Sequence, residues 1–182
     1  MRNFILLLFL GLMIGFSACE ANNPFNTGPV YDVAGNMKID SVKIVNYLDT
    51  AKIDSIYRIH DPSGVVIIVQ EEGEGSRPSS GTTIHTNYTG SLIEDGTVFD
   101  TTIESVARKN DLFKEGTDYQ PTWFLMDANR VIRGWEIGFK KLRPGSKAVL
   151  VIPSPYAYQA QATGRIPANS ILRFDVDFLG ID

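Results

Sequence analysis

Few side chains in this sequence have the types and spacing to make or break a covalent bond. The only cysteine is Cys19, and the two histidines, His60 and His85, sit in neither an H-E-x-x-H pattern nor a Cys/His ligand spacing, so no metal centre is expected. A G-x-S-x-G elbow and a phosphate-binding glycine loop are also missing from the sequence. What remains is one well-placed hydroxyl and a set of rings. Tyr158 stands in a loop flanked by Pro153 and Pro155, a setting that suits a hydrogen-bonding role better than core packing. Trp135, Phe139 and Leu142 recur at helical spacing, so Gly134 to Leu142 reads as a short helix with one aromatic-rich face, ended by the Pro144-Gly145 turn. A helix of about two turns is marginal alone and needs a sheet to cover it.

The flanking segments supply that sheet. Val65 to Gln70 is an apolar, β-branched run ending in acidic and glycine residues, which reads as strand then turn. Thr82 to Ser91 alternates, with Ile84, Thr86 and Tyr88 on one face and His85, Asn87 and Thr89 on the other. Glu94-Asp95-Gly96 turns it into Thr97 to Asp100, forming a hairpin. Trp123 to Met126, Lys147 to Ile152 and Ile171 to Leu179 are further strands. In the last, Leu172, Phe174, Val176 and Phe178 face one way while Arg173, Asp175 and Asp177 face the other. Strands outnumber helices and one short helix lies mid-sequence, so the fold class is α+β, an antiparallel sheet curled around a short central helix.

Several stretches carry a family resemblance. They are NYTG (Asn87 to Gly90), VFDTT (Val98 to Thr102), VIRGWEIG (Val131 to Gly138), IPSPYAY (Ile152 to Tyr158), IPANS (Ile166 to Ser170) and LRFDVDFL (Leu172 to Leu179). In this order, across residues 64–182, the chain resembles the FKBP-type peptidyl-prolyl cis-trans isomerases. The resemblance implies rotation of Xaa-Pro bonds in Pro-containing polypeptide clients, with no cofactor and no metal, and a pocket that accepts macrolide immunosuppressant-type ligands. It places Tyr88, Phe99, Trp135 and Phe174 as aromatic walls, the Trp135 indole being the floor under the proline ring. Val131 and Ile132 line one side, with the Ile132 N–H as a donor to a substrate carbonyl. Tyr158 matches a hydroxyl donor to the carbonyl next to the proline, Ile166 closes a loop over the site, and Asp100 is a carboxylate near the rim. Taken singly, Tyr88, Trp135 and Phe174 also read as plain core and Asp100 as a turn cap.

The chain departs from the family pattern at three positions and in one loop. Thr122 stands where a pocket aromatic is usual, which thins one wall unless Trp123 or Tyr119 swings in. Gln159 and Asp127 stand where glycine is common, and a side chain at Gln159 restricts backbone torsions or crowds the pocket. The 20 residues between Asp100 and Pro121 exceed the shortest family members by about a dozen, and Ile103 to Lys109 within them reads as helical beside the pocket mouth. Thr122 and Gln159 keep a second reading open, a non-catalytic module that binds Pro-containing or apolar segments as a chaperone or assembly component.

The N-terminus is set apart from this domain. Arg2 precedes an uncharged apolar run of 13 residues, Phe4 to Phe16, too short to span a bilayer and suited to a signal h-region. Phe16-Ser17-Ala18-Cys19 resembles a bacterial lipobox, with Phe16 where Leu is usual. The expectation is a signal peptide over 1–18, lipidation at Cys19, and an exported protein anchored to a membrane of the bacterial cell envelope. Loss of Arg2 takes 17 basic residues to 16 against 21 acidic ones, a net charge of −5, which excludes nucleic acid as a partner. Residues 19–36 read as a flexible tether and 37–63 as a helical extension. Asp40 is the expected N-cap of a helix ending near Thr50, with Val42, Val45 and Leu48 as a stripe, flanked by Ile44, packed on the same chain's domain.

Overall fold

The structure, a computed structural model of the chain, describes residues 30–182. The signal peptide, Cys19 and the tether up to residue 29 lie outside the described residues.

The elements run α1 (Val33–Thr50), β1 (Tyr57–His60), β2 (Val66–Glu71), β3 (Thr83–Leu92), β4 (Val98–Thr101), α2 (Glu104–Lys109), β5 (Thr122–Leu125), α3 (Arg133–Phe139), β6 (Lys147–Ile152), a 3-10 turn (Ser154–Tyr156) and β7 (Leu172–Ile181). The strands pair antiparallel in the order β1-β2-β6-β7-β3-β4, and β5 also pairs with β3. This is the expected antiparallel sheet around a short helix, except that its edge strand β1 comes from within residues 37–63, read from the sequence as a helical extension, where Tyr57 to His60 pair with Val66 to Val69. β3 organises it. One edge pairs with β7 from Ile84 to Leu92, while the other pairs with β5 through Thr86 and with β4 from Thr89. The segment joining β4 to β5 therefore leaves and re-enters along one edge, and α2 lies within it.

Two apolar layers explain the strand patterns. Ile67, Val69, Leu150, Leu172, Phe174 and Phe178 point to the face covered by α3, with Trp135 and Phe139. Val66, Ile68, Val149 and Val151 point to the other face, where Ile44 of α1 covers them. β2 and the interior of β6 are apolar at consecutive positions because both their faces are buried, whereas the alternation of β7 marks a half-buried strand.

The N-terminal helix differs from the expectation. α1 begins at Val33, its N-cap is Asp32, whose Oδ1 accepts from Gly35 N at 2.8 Å, and residues 33–36 are helical rather than tether. Asp40 lies mid-helix and is 2% exposed. The helix packs on its own domain through Asp40, Ile44, Tyr47 and Leu48, while Val42 and Val45 are 60% and 57% exposed. Repeated spacings of three drift by about 60° per step on a helix of 3.6 residues per turn, whereas a step of four followed by one of three, as from Asp40 through Ile44 to Tyr47, drifts by only about 20° in all. A charged residue on that line hid the packed face in the sequence.

Candidate active site

α3 is seated by contact with β6. A Cβ at Gly134 would lie 2.3 Å from Ile152 Cγ2, so only glycine lets the helix approach this closely. That approach buries Trp135 to 5% exposure with Phe124 and Phe139 packed against it, both at ring-centroid distances of 5.5 Å. Above the indole stand two rings from the sheet, met nearly edge to face: Tyr88 of β3 at 5.0 Å and 83°, and Phe174 of β7 at 5.2 Å and 87°. Phe99 of β4 meets Phe174 at 5.6 Å and 81°. Gly90 makes room for that pair, since a Cβ there would come within 2.5 Å of Phe99 and 2.8 Å of Phe174.

These rings surround a cavity of about 550 Å³. Tyr88, Phe99, Trp135 and Phe174 line it, as do Val131 and Ile132 from the turn before α3 and Asp100 from β4. Tyr158 and Ile166 reach it from the long β6–β7 connection, where Thr163 and Ile166 form a small bridge and Ile166 is 6% exposed. All nine residues nominated from the sequence thus come to one hollow, although they are drawn from six separate segments.

The polar groups divide into those already engaged and those available. The Tyr88 hydroxyl donates to Asp100 Oδ2 at 2.5 Å, and Asp100 Oδ1 accepts from Thr101 N at 2.9 Å. Burial, then the hydrogen bond and negative charge of Asp100, raise the Tyr88 hydroxyl far above the ordinary tyrosine range. Burial, then the charge of Asp100, also raises Tyr158. Both hydroxyls are therefore neutral and protonated at physiological pH. Among the described residues, the Tyr158 hydroxyl and the Ile132 N–H make no hydrogen bond. Both donors are thus unspent at an apolar cavity, as is the N–H of the buried Trp135 indole.

The departures have structural answers. Thr122 lines the cavity, and Tyr119 does not replace the missing ring: it stacks on Phe113 at 5.9 Å and 13° within the β4–β5 connection. Trp123 reaches the rim but is 68% exposed. Gln159 adopts the left-handed conformation a glycine would take (φ 56°), and its exposed side chain donates to Pro155 O at 3.3 Å instead of crowding the pocket. Asp127 does likewise (φ 61°), its Oδ1 accepting from Lys140 Nζ at 2.6 Å. His85 lies on the outer face of β3, with Nε2 2.7 Å from Asp182 Oδ2.

Sequence reasoning missed Arg165. It lines the cavity, and its guanidinium donates to the carbonyls of Asn110 (2.8 Å), Asp111 (2.9 Å) and Val98 (3.4 Å). It thereby ties the β6–β7 connection to the β4–β5 connection at the cavity mouth. No local signal announces it, because its acceptors are main-chain groups more than fifty residues away.

Comparison with known proteins places this arrangement. The family model described as FKBP-type peptidyl-prolyl cis-trans isomerase matches residues 74–179. FK506-binding protein 4 of Candida glabrata is 35% identical over 118 residues, 65% of this chain and 26% of that protein. FK506-binding protein 1 of Saccharomyces cerevisiae is 37% identical over 112 residues, 60% of this chain and 86% of that protein. The crystal structure of FkpA from Escherichia coli superposes with a TM-score of 0.60 at 30% identity, covering 82% of this chain and 62% of that one. The match thus spans about a quarter of the Candida protein but most of the shorter Saccharomyces one.

Proposed function

The chain belongs to the FKBP-type peptidyl-prolyl cis-trans isomerase family, and on that premise we propose that it catalyses rotation about Xaa-Pro bonds in exported polypeptides to assist their folding. The observation that carries this reading is the pairing of an aromatic cavity over Trp135 with two unspent donors, the Tyr158 hydroxyl and the Ile132 N–H.

The physical problem is the barrier. Resonance in the planar amide makes rotation cost about 18–20 kcal/mol, and the uncatalysed step takes tens of seconds or longer. In the transition state the C–N bond is twisted, conjugation is lost and no covalent bond breaks, so no nucleophile is required. The planar amide is the more charge-separated form. An apolar cavity therefore disfavours the ground state relative to the twisted one, and each 1.36 kcal/mol of that difference is about tenfold in rate. The proline ring would lie over Trp135 between Tyr88, Phe99 and Phe174. The Ile132 N–H would hold one substrate carbonyl and the Tyr158 hydroxyl the carbonyl beside the proline, with Val131 and Ile166 closing the sides. Asp100 acts by fixing the Tyr88 ring through its hydroxyl. A macrolide such as FK506, after which the Candida and Saccharomyces relatives are named, would occupy the same cavity.

Protease-coupled isomerisation of short peptides with Leu or Phe before Pro tests the reading, with cis-to-trans conversion well above the buffer rate as the expected result. Conversion at the buffer rate by folded protein would favour the second reading, a non-catalytic module for Pro-containing or apolar segments, which Thr122 in the cavity wall supports. For the N-terminus we propose lipidation at Cys19 and attachment to a membrane of the cell envelope, on the strength of the Phe4 to Cys19 pattern. Metabolic labelling with a fatty acid should mark the wild type and not Cys19→Ala. Equal labelling of the two would defeat the anchor.

A further inference from the structure

The N-terminal helix reaches the cavity through a buried carboxylate that the mechanism above does not use. Asp40, 2% exposed in the middle of α1, is costly to bury unless strong donors surround it. Both of its donors belong to one residue. Asp40 Oδ2 accepts from the backbone N of Ser154 at 2.8 Å and from the Ser154 hydroxyl at 2.7 Å. With that hydroxyl proton committed, the Tyr31 hydroxyl, 2.9 Å from Ser154 Oγ, is the donor in their contact.

Ser154 is itself fully buried, and its carbonyl is engaged as well. It accepts from Ala157 N and from Gln159 N, each at 3.1 Å, the residues on either side of Tyr158. One carboxylate of α1 therefore grips the N–H and O–H of the residue whose C=O grips both neighbours of the cavity hydroxyl. The helix has further contacts with the domain besides this clasp. Ile44 packs on β2 and β6, and the Tyr47 hydroxyl accepts from Arg173 Nη1 at 3.0 Å.

We propose that Asp40 is a positioning residue for the cavity: by fixing Ser154 it sets the Ser154–Gln159 turn and hence where the Tyr158 hydroxyl lies. The consequence is that the N-terminal extension is part of the isomerase machinery rather than an inert spacer. The proposal rests on the isomerase reading of the cavity for its catalytic consequence, but not for the clasp itself.

The test uses purified wild type, Asp40→Ala, Asp40→Asn, Ser154→Ala, Tyr158→Phe and the Asp40→Ala/Tyr158→Phe double variant. Amide exchange at Ala157 and Gln159 is read beside kcat and KM on a peptide with Leu before Pro. Asp40→Ala is expected to speed exchange at both amides and to lower kcat by about fivefold with KM within about twofold, the loss of one well-placed hydrogen bond. Asp40→Asn keeps an oxygen that accepts both bonds and should restore most of the loss, and Ser154→Ala, which keeps the backbone bond, should fall between. In the Tyr158→Phe background Asp40→Ala should add little, since both changes act through one hydroxyl. Unchanged exchange in folded Asp40→Ala, full kcat despite faster exchange, or additive losses would each overturn the proposal. If Asp40→Ala does not fold, Ser154→Ala and Asp40→Asn decide by the same readouts. Inactive wild type would strike the isomerase reading instead, leaving exchange to decide the clasp.

Discussion

At the scale of single residues, the two tyrosines of the cavity differ in what their hydroxyls are free to do. Tyr88 donates to Asp100, whereas Tyr158 has no partner among the described residues. Tyr158→Phe should therefore lower kcat/KM by about three- to tenfold, the equivalent of about 1 kcal/mol of hydrogen bonding, with little change in stability. Asp100→Ala acts differently, because it leaves the Tyr88 hydroxyl half-buried without its acceptor. It should cost about 1–3 kcal/mol in denaturant unfolding as well as activity. The raised Tyr88 hydroxyl also fixes a pH dependence. The unfolded hydroxyl ionises near 10.0 and the folded one above it, so its contribution to stability is complete below pH 10 and is lost as pH rises beyond. Denaturation midpoints should fall above pH 10 in the wild type and fall less steeply in Tyr88→Phe, while a steeper fall in the variant would contradict the assignment.

At the scale of elements, the site depends on how closely α3 lies on β6 and on how the two long connections are joined. Gly134→Ala would push a methyl into Ile152 and lift the helix that carries Trp135. The expected cost is about 1–3 kcal/mol of stability, with the tryptophan emission shifted in the folded state. Arg165→Ala breaks three bonds to main-chain carbonyls at the mouth. Its side chain serves surface connections rather than the core, so KM should rise several-fold while the unfolding free energy changes by about 1 kcal/mol or less. A kcat loss at constant KM would show that the joint does something other than hold the mouth.

At the scale of the whole molecule, the sheet carries apolar side chains on both faces of β2 and β6, one covered by α3 and the other by α1. The cavity opens in the α3 layer, so filling it should stabilise the entire domain through linkage. A macrolide present at 100 times its Kd should add about 2.7 kcal/mol, or roughly 5–11 °C in Tm for a chain of this size. A thermal shift within error at saturating macrolide would show that the cavity does not take such ligands. Deleting α1 would expose Val66, Ile68, Val149 and Val151 together, and aggregation is the expected outcome.

The amino-acid sequence by itself determined the strands from β2 to β7 and the α3 helix, because alternation and helical spacing are properties of neighbouring residues, and the family resemblance of its ordered stretches named the nine residues that line the cavity. Lys147 to Ile152 and the alternating faces of β7 are read off the chain for that reason. What the tertiary structure alone decided involves partners distant in the chain. The packed face of α1 runs through a buried Asp40 that looks like a helix cap until Ser154, 114 residues away, is brought to it. Arg165 finds its acceptors only where two loops meet, and Gln159 is harmless because its side chain points outward from a left-handed turn. Local pattern fixes which way a side chain faces along its own element, but a charge or a torsion takes its meaning from whatever long-range packing sets beside it.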